Sequence, residues 1–117
     1  MNDLVAETVL QSGVDDWVSL IEVVGIFRGV YPTVDYEDSI GEVIEIIEFL
    51  KSHNLVQVGT VGEDGFSPWV RSTEISGMLS SLLHSDGDFG GQSLWAYSAW
   101  LSNTQEGDRI GLMLHQR

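Results

Sequence analysis

An α+β domain is the fold class that this sequence predicts, and three features predict it. Apolar residues recur at helical spacing between Ser39 and Lys51, β-branched residues alternate between Leu55 and Val61, and capping or turn residues punctuate the segments between. At 117 residues the chain can bury one core without disulfides or metals as staples, so a single domain over 1–117 is expected. A composition of 43% hydrophobic and 20% charged residues places it in the globular class and excludes the disordered one.

Residues 3–11 read as a short helix with Leu4, Val5, Thr8 and Val9 on one side, closed by Ser12 and Gly13. Trp17 and Val18 form a short apolar piece. Ser19 and Glu22 have capping-box spacing, in which hydroxyl and carboxylate satisfy backbone donors reciprocally, so a second helix is expected from near Ser19 to Arg28-Gly29. The stretch from Tyr31 to Asp38 holds a proline and three acids without a clean period, and reads as a loop whose Tyr31, Val34 and Tyr36 pack inward. Ser39 and Glu42 repeat the capping-box spacing. With Ile40, Val43, Ile44, Ile47 and Leu50 as its stripe, the longest helix is expected from Ser39 to about His53-Asn54, where Asn suits a left-handed cap.

Leu55–Val61 reads as a strand, and Gly62–Gly65 as a turn. The segment from Phe66 to Val70 extends from it only as an edge or as irregular chain, because Pro68 cannot donate to a ladder. Residues 73–84 read as a helix inserted between strands, with Ile75, Met78, Leu79, Leu82 and Leu83 as its apolar stripe, and residues 86–92 as a glycine-rich loop. Residues 93–101 fit either a buried strand or the end of a helix, and residues 103–114 a capping residue followed by a short helix.

Charge is the feature that most narrows function. Eighteen acids against five bases give a net charge of -13, and residues 1–50 hold eleven acids against Arg28 alone. Such a field repels phosphate and anionic lipid and draws basic partners inward at modest salt. Solubility is the plain alternative. The absence of cysteine excludes thiolate chemistry and Cys-based zinc sites. The first ten residues lack the positive start of a signal peptide, and no apolar run approaches a membrane span, so a cytoplasmic protein without a membrane segment is expected.

Motifs for chemistry are missing. His53, His84 and His115 stand in unrelated segments with no second ligand at metal spacing. No nucleophile elbow, P-loop or dinucleotide fingerprint is present. Asp86 and Asp88 begin like a calcium loop, but Gly90 and Tyr97 occupy positions where that loop needs oxygen ligands. The expectation is a protein without enzyme activity and without a cofactor. Trp17, Trp69, Trp95 and Trp100 read as core or half-buried anchors, since no bases are interleaved with them to make a stacking platform. Trp69, beside Pro68 and after Glu63 and Asp64, also suits an interface anchor.

The order helix, short strand, helix, helix, strand, strand, helix resembles a winged-helix domain. Two segments carry the likeness. Phe49–Val58 resembles a third helix passing into the first wing strand, and Ala99–Arg109 is similar to a returning wing strand followed by Thr104-x-x-Gly107-x-Arg109, the opening of a final helix in many bacterial regulators. The resemblance implies a helical domain with a small antiparallel β-hairpin, and it makes residues 62–93 an insertion where a wing normally turns in a few residues. It also implies that the helix after Ser39 occupies the place of a DNA-reading helix. That helix offers Glu42, Glu45 and Glu48 outward, with Asp38 near its start and only Lys51 to offset them, so DNA reading is not expected of it.

In size, acidity and lack of catalytic motifs the chain also resembles the small immunity proteins that bacteria pair with toxins, many of them nucleases with basic clefts. That resemblance implies an acidic inhibitor of a basic protein partner, with Asp35, Glu37, Asp38, Glu42, Glu45 and Glu48 as docking face and Trp69 as a further anchor. The glutamates have a second reading as the solvated face of an amphipathic helix. The competing function is a dimeric winged-helix transcriptional regulator contacting DNA through Arg28, Lys51, Arg71 or Arg109.

Overall fold

In a computed structural model of the chain, which describes residues 3–69, 77, 79, 80 and 99–115, four helices pack with one antiparallel sheet. The elements are α1 (Asp3–Ser12), β1 (Val18–Ser19), α2 (Leu20–Val30), α3 (Tyr36–Ser52), β2 (Val56–Gly62), β3 (Gly65–Pro68), β4 (Trp100–Asn103) and α4 (Gln105–His115). The expected 73–84 helix is described only at Gly77, Leu79 and Ser80, which are helical, and Leu79 is fully buried. The expected loop at 86–92 lies outside the described residues, as do Trp95, His84, Arg71 and most of 93–101.

Local chemistry explains the element boundaries. Ser19 takes an extended conformation and its hydroxyl accepts from the Glu22 amide at 3.3 Å, which starts α2 where the capping spacing predicts it. Leu20 N–H donates to Ala99 O at 2.9 Å, tying that helix start to the strand that follows. For α3 the expected start at Ser39 is corrected. The cap is Asp35, whose carboxylate accepts from the Asp38 amide at 2.9 Å, so Tyr36–Asp38 belong to the first turn rather than to a loop. Ser39 lies fully buried inside the helix, with its hydroxyl donating to Val34 O at 3.4 Å. The buried stripe is also displaced: Ile46 joins Ile40, Val43, Ile47 and Leu50 in the core, while Ile44 is half-buried. At about 100° per residue, Ile46 and Ile40 flank Val43 evenly and Ile44 falls toward the edge of that face.

The turn from α3 into β2 depends on Asn54, whose φ of 58° lies in the left-handed region. Two residues later β2 begins, and the sheet assembles in the order β1-β4-β2-β3. Val56 pairs with Asn103 and Val58 with Leu101, which in turn pairs with Val18, so β4 is the central partner of two strands distant in sequence. Burial in β2 alternates at Val56, Gln57 and Val58, then gives way at Gly59, where a side chain would strike the Ser67–Pro68 backbone of β3. Pro68 sits on the edge strand, as its missing donor requires.

The returning segment is fastened at Thr104. Its N–H donates to Leu55 O at 3.0 Å, its hydroxyl to Asn54 O at 2.6 Å, and the same oxygen accepts from Gly107 N–H at 3.1 Å to cap α4. Gly107 is needed because a Cβ there would overlap the Leu55 carbonyl oxygen. Gly111 is needed for the same reason against α1, where the Leu10 carbonyl would lie 2.7 Å from an added Cβ. Substitution of Gly107 by Ala is therefore expected to destabilise the fold by about 1–3 kcal/mol through overpacking, and Thr104→Ala by about 1 kcal/mol through cap loss. Urea unfolding of the two variants checks both, and a stability equal to the parent for Gly107→Ala would contradict this packing.

Candidate functional site

The C-terminal half of α2 and the N-terminal half of α3 diverge around the Tyr31–Asp35 connection and leave an open groove of 620 Å³. Its apolar part is Phe27, Tyr31 and Val34, with the Phe27 and Tyr31 rings tilted at 40° and 5.3 Å apart. Phe27 is buried, whereas Tyr31 is 38% exposed and presents its ring to solvent. Its acidic part is Glu37, Asp38, Glu42 and Glu45, all on α3 and all exposed. Gly41 lies among them. No Lys or Arg is among the described residues that line the groove.

The helix repeat explains why these acids converge. Gly41 and Glu42 follow Asp38 by three and four residues, and Glu45 follows Glu42 and Gly41 by three and four, which keeps them on the face opposite Val43 and Ile47. Gly41 is exposed, and a Cβ added to it would meet nothing within 4 Å. No described neighbour demands a glycine there, although glycine in a helix interior costs roughly 0.5–1 kcal/mol relative to alanine.

Arg28, next to the groove, is used for architecture. Its Nη1 donates to Val34 O, the carbonyl that also accepts from the Ser39 hydroxyl, so the connection between α2 and α3 is held from both sides. Arg109 pairs with Glu106 and also donates to Met113 Sδ at 3.2 Å. Lys51 stands in the last turn of α3, beyond the groove.

Of the residues the sequence singled out, Glu37, Asp38, Glu42 and Glu45 are brought together on the groove. Asp35 is exposed as the cap of α3. Glu48 departs from the expected outward face. Two steps of three residues turn it about 120° from Glu42 and carry it about 9 Å along the axis. There it is half-buried, and its Oε1 has no hydrogen-bond partner among the described residues. Trp69 packs partly against the core, with its indole N–H donating to Thr60 Oγ1 at 3.0 Å, and is not among the described lining residues. Phe27 and Tyr31 were not singled out for this site. Their role depends on how α2 meets α3, which no local pattern encodes.

Trp17 is partly buried: it is 38% exposed and stacks on Phe66 with ring centroids 6.4 Å apart, beside a second, 370 Å³ depression lined by Asp15, Asp16 and Asp108 among others. Among the described residues, no group of three or more His, Asp or Glu side chains is placed to hold a metal ion. No helix among them is long and apolar enough to cross a membrane. Comparison of the chain with family models, curated proteins and solved structures returned no match.

Burial and a neighbouring carboxylate act together on Glu22. Partial burial first, and the charge of Asp16 second, raise its pKa above the ordinary carboxylate value. A carboxyl whose folded pKa is raised favours the folded state fully below the unfolded pKa, and that contribution is lost as pH rises through the folded pKa. Glu22→Gln is therefore expected to be slightly more stable than the parent at neutral pH, with the difference vanishing at acidic pH where Glu22 is protonated in both states. Unfolding midpoints at the two pH values measure this, and a difference that grows on acidification would refute it.

Proposed function

We propose that this chain is a non-enzymatic, acidic protein-binding module of winged-helix-like build, which neutralises a basic partner such as a nuclease toxin by docking through the α2–α3 groove. The observation that carries the reading is the convergence of four exposed carboxylates around an aromatic floor, with no base among the described residues lining it. Such a surface gains association rate from steering and specificity from apolar anchors such as Tyr31.

The winged-helix part of the reading is supported by the order of elements and by the β1-β4-β2 part of the sheet, in which β4 returns between β1 and β2. On that reading α3 stands where a regulator carries its DNA-reading helix. The electrostatics argue against that use, since Arg28 and Arg109 are engaged within the fold and the outward face of α3 is acidic. Duplex DNA would bring phosphates against Asp38, Glu42 and Glu45 without the counterion release that drives such binding.

Capture of partners from native lysate at low salt, with elution by salt and mass spectrometry, tests the proposal. The expected result is a basic protein whose nuclease activity the chain suppresses, with association slowed 10-fold or more in Glu42→Lys/Glu45→Lys, within the range of about 10–10³ that steering supplies. Recovery of duplex DNA, or equal capture of the same protein by the double variant, would overturn it.

A further inference from the structure

The groove holds more than charge, and Gly41 is the residue that makes the difference. It sits in the interior of α3, three residues after Asp38 and four before Glu45, with Glu42 adjacent, and open space where a side chain would be. Solvation of an acidic helix face requires no glycine. A recess between carboxylates does require one, because only at glycine can an incoming group approach the helix backbone itself. The same groove is lined by the partly exposed Tyr31, whose ring lies 5.3 Å from that of Phe27, and by Val34.

We infer that the recess at Gly41 is a receptor for an arginine side chain of the basic partner. This rests on the protein-docking reading above and specifies its chemistry. Arginine fits each wall of the recess. Its aliphatic stem covers Val34, its planar guanidinium stacks on Tyr31, and its fork of donors reaches Asp38, Glu42 and Glu45 in pairs. Lysine carries the same charge but neither stacks as a plane nor bonds in pairs, so the site prefers arginine. Charge complementarity names the partner as cationic, and the combination of a backbone-deep recess with an aromatic wall names the residue.

Titration calorimetry of the full chain at low salt with acetylated tetra-arginine amide, tetra-lysine amide and free spermidine tests this. Gly41→Ala and Gly41→Leu keep every charge, and alanine at this open helical position raises Tm by roughly 4 °C. The expected result is a preference of several-fold for the arginine peptide, reduced several-fold by Gly41→Ala and at least tenfold by Gly41→Leu, in proteins no less stable than the parent. Unaltered arginine affinity in Gly41→Leu, with loss of affinity in Glu42→Lys/Glu45→Lys, would overturn the recess and leave the acidic docking face standing. Equal affinity for the lysine peptide would overturn the arginine assignment. Spermidine binding as tightly as tetra-arginine would assign the groove to small polyamines instead of a protein. No binding of either peptide by the parent would overturn the docking face as well.

Discussion

The fold depends on one corner, the junction at Asn54 and Leu55 where a helix must become a strand within two residues. Asn54 makes the reversal in the left-handed region, and Leu55 N–H reaches back to Leu50 O at 2.9 Å to close the helix end. Both residues also offer their carbonyls to Thr104, fifty residues away, which caps α4 with the same hydroxyl. Two helices and two strands thus share a handful of hydrogen bonds. Because β4 pairs with β2 on one side and β1 on the other, a slip at this corner would shift Leu101 and Val58 off their buried face together. The close approach at Gly107 leaves no room for such a slip.

A net charge of -13 opposes any compact state, and the distribution of that charge shows how the opposition is contained. Glu37, Asp38, Glu106 and Asp108 lie in first turns of helices, where the partial positive charge of the helix end favours them, whereas for Glu22, also in a first turn, burial and Asp16 outweigh that benefit. Asp35 and Asp38 act together, one as cap and the other as the residue whose amide is capped. Glu42 and Glu45 are different. They lie beyond the first turn of α3, where the dipole gives them little, and they face solvent over the groove. Unlike the first-turn acids, they gain nothing from a helix end, and they share the groove with Tyr31 and Val34.

Much of this was legible in the sequence where a local rule had no rival. Asn54 after a helical stripe takes the left-handed conformation as expected; of the box at Ser19 and Glu22 the hydroxyl cap is found, and the last helix is capped by Thr104, one residue after the start of the expected stretch. The start of α3 was misread because two capping patterns overlap, Asp35 with Asp38 and Ser39 with Glu42, and the hydroxyl at Ser39 is drawn instead to the Val34 carbonyl. The choice of Ile44 over Ile46 has a separate cause, since the two lie on opposite sides of Val43 and only packing decides which side is covered. The β1 strand was too short at two residues to show an alternation. The acidic face could be read from α3 alone, but the groove could not, since its aromatic wall comes from α2 and exists only once the helices are packed.

Apolar side chains of both helices pack them, and Arg28 ties their connection: its guanidinium binds the Val34 carbonyl, with the Ser39 hydroxyl as second donor. This closes the connection between α2 and α3 at one end of the groove. A groove whose walls are already fixed loses little conformational entropy on binding, so more of the interaction with a cation remains as affinity. Placing that guanidinium on the backbone stiffens the connection beside the groove, a property that the proposed docking of a basic partner would use.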